Sequence, residues 1–335
     1  MSEQFRFAII GCGKIAPRHA AEAVKHGQLA AVCDIIPHRA DEMAKAYNAR
    51  PYYSIEELLA NEKELDIISV CTPNGLHPSH SILSLEYGAH VLCEKPLSIS
   101  VSEGKKMMEA SKKAKRKLFV VKSTRYNPVL SALKDAIENK KLGIIYSFQL
   151  NCFWNRPESY YENSWKGKEL DGGTLFTQFS HYIDAMIWLL GEVKQVAGFR
   201  SNNAHKGIIL SEDSGIVAVE MESGVLGGIN WSVNSVRKNM EVSLSVISEK
   251  ASIRIGGEYM NKVEYLESDE SLNLESVLNF PNDYGNYQGS MSHHDKVYEN
   301  LVKAINNDHH PFTLAADGLK TVELIERIYK SVSLS

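Results

Sequence analysis

The sequence predicts an α/β protein of two domains. A doubly wound parallel sheet comes first, and an α+β domain with an open, mostly antiparallel sheet follows. Three observations carry this expectation. A chain of 335 residues exceeds what one ordinary core holds. Its first third alternates short apolar runs with amphipathic stretches, the rhythm of buried strands and covering helices. After about residue 122 that rhythm gives way to β-type segments in quick succession. The expected domains are therefore residues 1–122 and 123–335, with the last helices free to pack back on the first.

In the first domain, residues 5–10, 29–33, 66–70, 90–93 and 118–121 read as parallel strands. Strands covered on both faces become nearly continuous apolar runs, as Ile67-Ile68-Ser69-Val70 does. Residues 39–47, 55–60, 78–87 and 101–114 carry their apolar side chains at helical spacing. In the second domain a helix near 128–138 leads into a β-type run, 144–154, and then a strongly helical block, 175–190. Segments 195–199, 214–221, 224–231, 241–248 and 251–255 alternate as strands, with polar turns such as Glu222-Ser223-Gly224 between them. Helices at 296–305 and 315–331 close the chain, and the polar stretch 267–288 reads as a long surface loop.

The first strand runs into Gly11-Cys12-Gly13-Lys14-Ile15-Ala16, which matches the dinucleotide fingerprint G-x-G-x-x-G/A in the strand–turn–helix context it requires. Gly11 permits the tight turn, Gly13 lets the backbone approach a pyrophosphate, and Ala16 lets the helix pack closely. The helix N-terminus, with Lys14 and Ile15 in the loop before it, offers N–H groups to the phosphates. Asp34 ends the second strand about 20 residues further on. A carboxylate there accepts from both ribose hydroxyls and repels a 2′-phosphate, which favours NAD over NADP. Arg39 argues the other way, since a nearby arginine can hold that phosphate. Strands four and five end in Cys71-Thr72-Pro73-Asn74 and Cys93-Glu94-Lys95-Pro96, at the sheet edge where ligands bind in such folds. Thr72, Pro73, Asn74, His77, Glu94 and Lys95 are thus expected around the nicotinamide end of the cofactor. Lys95 is oddly placed for a purely structural residue.

Bulk properties narrow the function classes. The formal net charge is −4 with both signs mixed along the chain, so no basic stripe supports a nucleic-acid role. No apolar run approaches the roughly 18 residues a membrane helix needs. Met1-Ser2-Glu3-Gln4 runs straight into an apolar strand without the basic, then apolar, pattern of a signal peptide. A cytoplasmic protein with neither nucleic-acid nor membrane partner is expected. Cysteines 12, 33, 71, 93 and 152 show no C-x-x-C spacing and read as reduced, packed thiols. The pairs His77/His80, His293/His294 and His309/His310 lack cysteine or carboxylate neighbours at ligand spacing, so no metal is expected.

Taken together, the glycine loop, Cys71-Thr72-Pro73-Asn74, Glu94-Lys95-Pro96, and Asp171-Gly172-Gly173 through His181 to Asp184 resemble the glucose–fructose oxidoreductase/inositol dehydrogenase (Gfo/Idh/MocA) family over nearly the whole chain. The resemblance implies a Rossmann domain, an open-sheet substrate domain, and hydride transfer to or from a sugar or cyclitol. The family's active site joins the E-K-P lysine to a helix carrying D-x-x-x-H. Here His181 matches the histidine, but Thr177 stands at the aspartate position and Phe179 at a frequent glycine. Lys95 and His181 are left as the catalytic pair. In an α-helix Thr177, His181 and Asp184 share one face.

The pattern D-G-G-x-L-x-x-Q-x-x-H-x-x-D resembles the UDP-N-acetylglucosaminuronate 3-dehydrogenase branch, and so does the aromatic Asn-Arg-Pro stretch before it. That implies oxidation at sugar C3 in bacterial surface polysaccharide biosynthesis, with a nucleotide-sugar substrate and 2-oxoglutarate as a recycling acceptor for tightly bound NAD. The stretch is Trp154-Asn155-Arg156-Pro157-Glu158-Ser159-Tyr160-Tyr161, followed by Trp165 and Lys166. Arg156 suits bidentate pairing with a pyrophosphate or uronate, and the tyrosines suit sugar oxygens. Arg125, Tyr126 and Asn127, like Thr177 and Gln178, are also expected to face substrate. Either Lys95 or His181 serves as base, given a proton affinity drawn toward neutrality. Lys95 is preferred, with His181 positioning the hydroxyl. Rival readings are an inositol or free-sugar dehydrogenase and a non-catalytic NAD-dependent sensor. A homodimer or homotetramer is expected through the open face of the second sheet.

Overall fold

The computed structural model describes residues 4–275, 281–283, 288–291, 293–307, 310 and 312–334. The chain forms two compact units: Met1–Lys122 with His294–Val322, and Ser123–His293 with Glu323–Ser335.

The first unit alternates β1 (Phe5–Ile10), α1 (Ala16–His26), β2 (Gly27–Cys33), α2 (Pro37–Tyr47), β3 (Arg50–Tyr52), α3 (Ile55–Asn61), β4 (Ile67–Val70), α4 (His77–Tyr87), β5 (His90–Cys93), α5 (Val101–Ala114) and β6 (Leu118–Val120). The strands form one parallel sheet in the order β3-β2-β1-β4-β5-β6. The order reverses between β1 and β4, the switch point where such sheets bind ligands. Helix starts are written into the sequence: Ser54 and Ser100 cap α3 and α5, each Oγ accepting from the N–H of the glutamate three residues on. Strand β3 was not expected. It is a three-residue edge strand containing a proline, too short and too polar to show a period.

The second unit contributes α6 (Pro128–Glu138), β7 (Ile145–Phe153), α7 (Ser180–Leu190), β8 (Val193–Ser201), β9 (Ser214–Met221), β10 (Leu226–Ser232), β11 (Glu241–Ser248), β12 (Ala251–Gly256) and β13 (Lys262–Ser268). They build a seven-stranded sheet, β13-β12-β11-β7-β10-β9-β8. All its pairings are antiparallel except that of β7 with β10. One face is apolar and buried, through Leu150, Val217, Ile229, Trp231, Val242 and Leu244. The other exposes side chains, including the cross-strand pair Phe199 and Ile216. Strand β13 also escaped the sequence reading, because on this edge its residues are half-buried or exposed and show no clean alternation. Within the expected loop at 267–288, residues 281–283 form a strand, β14 (Pro281–Asp283), that pairs with β15 (Gln288–Met291). His309 of the expected histidine pairs lies outside the described residues.

Two helices close the chain, α8 (His294–Asn306) and α9 (Ala315–Ser331), and α8 packs on α1 within the first unit. The block expected as one helix at 175–190 is two structures. A π-helical turn, Leu175–Phe179, precedes α7. All five cysteines are free thiols and buried. Among the described residues no helix is long and apolar enough to cross a membrane.

Candidate active site

The first unit is built to hold a dinucleotide. Gly11 has φ +94°, and a Cβ there would lie 2.7 Å from the Cys71 carbonyl, so only glycine lets the loop pass the end of β4. At Gly13 a Cβ would meet nothing within 4 Å: bare backbone faces open space ahead of α1. That is the room a pyrophosphate needs beside a helix N-terminus. Lys14 is exposed and Ile15 half-buried. Asp34 Oδ2 accepts from the Cys12 N–H at 2.8 Å, and Oδ1 accepts from the Ile36 N–H at 2.9 Å. These bonds orient the carboxylate, and its remaining lone pairs suit a ribose diol. Ile35, next to it, is 83% exposed, an apolar surface beside the ribose acid that sequence reasoning did not single out.

Two turns follow at the carboxyl ends of β4 and β5. Thr72 and Pro73 are half-buried and Asn74 is buried. His77 clips the turns together: its Nε2 lies 2.9 Å from the Thr72 carbonyl and its Nδ1 2.7 Å from that of Pro96. His77 thus works on the backbone of both turns. Lys95 is half-buried, while the neighbouring Glu94 turns inward. Glu94 Oε2 accepts from the Lys95 N–H at 3.0 Å, and Oε1 accepts from Nε2 of His19 at 2.9 Å and of His294 at 3.2 Å. Burial pushes the Glu94 carboxyl up, but the hydrogen bonds from His19 and His294 outweigh it and hold it well below the usual range. Burial draws His19 down, so it stays neutral near pH 7. His19 and His294 were missed. The signal for His19 was a lone histidine among Ala16, Ala20 and Ala23 on the buried stripe of α1.

In the second unit the expected residues divide into two groups. Arg156 is only 2% exposed and lies 4.7 Å from the Trp154 ring and 5.1 Å from that of Tyr160. Its Nε donates to Gln178 Oε1 at 2.7 Å, and its Nη1 donates to the Asn155 carbonyl and, at 3.2 Å, to Asn239 Oδ1. Gln178 Nε2 donates in turn to Tyr160 Oη at 2.8 Å. Tyr161 packs edge-on to His205, which is 2.8 Å from the Arg156 carbonyl. Asn127 is buried as the N-cap of α6, accepting from the Val129 N–H and donating to the Met260 carbonyl. These side chains brace one another.

The second group stays half-exposed: Arg125, Tyr126, Trp165, Thr177 and His181. Arg125 forks onto Asp184, with Nε and Nη2 each 2.9 Å from a carboxylate oxygen. That pair anchors α7 three residues beyond His181. The π-turn places Thr177 and Gln178 just ahead of α7, a local departure from α geometry that is frequent at functional sites. Two residues before it, Gly173 has φ +118°, where a Cβ would collide with the Tyr329 hydroxyl. Gln178 faces inward to Arg156, and Thr177 donates to the Asp171 carbonyl at 3.3 Å.

Comparison with known proteins agrees with the two-part fold and its dinucleotide loop. The oxidoreductase family model with an NAD-binding Rossmann fold matches residues 5–122, and its C-terminal α/β domain matches residues 134–335. The chain belongs to the Gfo/Idh/MocA oxidoreductase family. It is an NAD-dependent enzyme, and the Gly11–Gly13 loop and Asp34 fit that cofactor. Among solved structures, the chain resembles the WlbA dehydrogenase of Chromobacterium violaceum, in complex with NADH and UDP-GlcNAcA, at 35% identity and TM-score 0.89, covering 99% of this chain and 94% of that one. The WlbA dehydrogenase of Bordetella pertussis, in complex with the same two molecules, follows at 32% identity and TM-score 0.88, covering 98% and 96%. Glucose-6-phosphate 3-dehydrogenase of Bacillus subtilis is 25% identical, over 98% of this chain and 97% of its own.

Proposed function

We propose that the sugar this oxidoreductase acts on is UDP-N-acetylglucosaminuronate, oxidised at its C3 hydroxyl in bacterial surface polysaccharide biosynthesis. One observation carries the reading: the whole-chain likeness to two dehydrogenases whose structures hold that nucleotide sugar. The braced Trp154–Tyr161 segment, singled out in the sequence for the same branch, adds to it.

In this reading Lys95 is the base. It takes the C3 hydroxyl proton as the C3–H bond breaks and the C=O bond forms. Bound NAD supplies the hydride acceptor. His181 orients the sugar hydroxyls from the start of α7, with half-exposed Thr177, Trp165 and Tyr126 as further contacts. Arg156, Gln178 and Tyr160 hold the π-turn in place behind them. The cytoplasm as its compartment, 2-oxoglutarate as the acceptor that reoxidises bound NADH, and a homo-oligomer joined through the exposed Phe199–Ile216 face belong to the same proposal.

The purified protein is incubated with UDP-N-acetylglucosaminuronate, with and without added NAD and 2-oxoglutarate, while reduced nicotinamide and keto-sugar are followed. Formation of the 3-keto product supports the reading, and dependence on each additive shows whether the cofactor is recycled in place. No product from protein that binds NAD sinks it. A second reading, C3 oxidation of a simpler sugar or sugar phosphate, is favoured by the relative named for glucose 6-phosphate and is checked by a panel of those substrates. Lys95→Met is expected to reduce turnover by roughly 10³-fold or more while NAD still binds. Retained turnover removes Lys95 from its role.

A further inference from the structure

Behind the Lys95 turn lies a buried chain of polar groups for which substrate and cofactor binding give no reason. Ser69 lies in β4, His19 in α1, and His294 and Tyr298 one turn apart on α8, all within the first unit. Tyr298 Oη lies 2.8 Å from Ser69 Oγ and 3.0 Å from His19 Nδ1. His19 Nε2 and His294 Nε2 converge on the same oxygen of Glu94. The two imidazoles meet edge to face at 5.0 Å, and His19 and Tyr298 are wholly buried.

The chain has a single polarity. An ionised carboxylate only accepts, so both histidines carry their proton on Nε2, pointing at Glu94. Neutral His19 then has a bare Nδ1, which can only accept, so the Tyr298 hydroxyl donates to it. Burial pushes the Tyr298 hydroxyl up, so it keeps its proton for that bond. Having donated, Tyr298 accepts from Ser69. Every group fixes the orientation of the next, and the chain ends at Glu94 Oε2, which holds the Lys95 N–H. Rotating the carboxylate would break bonds on both of its oxygens. Such fully satisfied networks rigidify what they hold.

We propose that His19, His294, Tyr298 and Ser69 are positioning residues for Lys95, acting through Glu94. They keep the Glu94 carboxylate ionised and immobile, and its bond to the Lys95 amide sets the turn from which the lysine side chain departs. The proposal rests on the reading of Lys95 as the base, and none of these four residues touches substrate in it.

The test uses the intact protein and begins without substrate. Nitrogen-15 NMR of labelled histidine is expected to show His19 in the Nε2–H form near neutral pH, and an Nδ1–H form or an imidazolium would overturn the chain. Tyr298→Phe, which removes one hydroxyl, and His19→Leu are expected to speed hydrogen exchange at the Lys95 amide roughly tenfold. His19→Gln, which keeps an N–H donor for Glu94, restores most of the protection. With substrate, Tyr298→Phe is expected to lower kcat by roughly tenfold while KM and NAD affinity stay within about twofold. Unchanged exchange at Lys95 in folded Tyr298→Phe and His19→Leu overturns the proposal, whatever the substrate proves to be. Retained turnover in Lys95→Met sinks only the assignment of the base. The three ligand atoms of His19, Glu94 and His294 also lie within 4.8 Å of one another, a spacing a metal ion could use. Stoichiometric zinc in the purified protein would overturn the hydrogen-bonded chain.

Discussion

Glu94 in the first unit and Glu212 in the second are both buried, and the two carboxyls respond in opposite directions. Glu94 in the first unit is driven well below the usual carboxylate range, whereas burial pushes Glu212 in the second up to about 7. Depth does not distinguish them, since both are buried. Donors do. Glu94 receives N–H bonds on both oxygens, from His19, His294 and its neighbour's backbone. Glu212 receives the Tyr329 hydroxyl at 2.8 Å and the Trp231 N–H at 3.3 Å, both on Oε1, while Oε2 accepts no hydrogen bond and lies 3.7 Å from Arg200. Burial taxes the charged form everywhere, and the number and placement of donors decide whether that tax is recovered.

The strongest way to break this contrast is the same substitution at both places. Glu94→Gln puts an N–H₂ group against N–H donors that have no alternative acceptor on Glu94. It is expected to cost about 3–4 kcal/mol by denaturant unfolding. Glu212→Gln resembles the protonated acid and keeps an oxygen for Tyr329 and Trp231. Little effect at pH 4, a gain of roughly 2 kcal/mol at pH 6 and roughly 3 kcal/mol at pH 8 are expected there. Equal losses at both sites would show that burial alone, and not donor number, governs the pair.

The pH dependence of stability sharpens the same point. The folded Glu212 carboxyl, at about 7, lies above its ordinary 4.5, so its protonated form favours the fold. That contribution is fully present below about pH 4.5 and is lost as pH rises through about 7, a difference of roughly 3 kcal/mol. Glu94, depressed in the folded state, behaves oppositely: its contribution is present above its ordinary value and is lost as pH falls. Stability curves for the parent protein and Glu212→Gln should therefore converge below about pH 4.5, separate between about 4.5 and 7, and run parallel above that. Curves whose separation stays constant from about pH 4 to 7 would remove Glu212 from the titration.

How much of this was legible in the sequence depends on distance along the chain. The Gly11–Ala16 loop, Asp34 and the strand-end turns are local patterns, readable because one turn of chain sets both geometry and chemistry. The two sheets were legible for the same reason, except where β3 and β13 are short or half-exposed edges that show no period. The Glu94 chain was not legible. His294 meets Glu94 across 200 residues of sequence, and no spacing rule connects them. Nor was the π-turn, because an assumed α period put Thr177, His181 and Asp184 on one face. Arg156 was expected to pair with a pyrophosphate or uronate, on its chemistry and on the branch-like stretch that holds it, while its burial among Trp154, Tyr160 and Gln178 shows a bracing role that no local pattern announces.

A buried neutral amide supplies the baseline against which both carboxyls are measured. Asn127 was expected to face substrate, yet its Oδ1 accepts from the Val129 N–H at 3.0 Å and its Nδ2 donates to the Met260 carbonyl at 2.9 Å. Asn127→Ala removes a helix cap and one bond to a carbonyl, with no charge involved. The expected cost is about 1–2 kcal/mol, independent of pH and well below that of Glu94→Gln. Asn127→Asp keeps the cap oxygen but loses the donor to Met260, so it should fall between the parent and the alanine variant. Since both polar ends of Asn127 are engaged with backbone, KM for the sugar should not move in either variant. A several-fold rise in KM with unfolding stability unchanged would return Asn127 to the substrate and leave the cap as incidental.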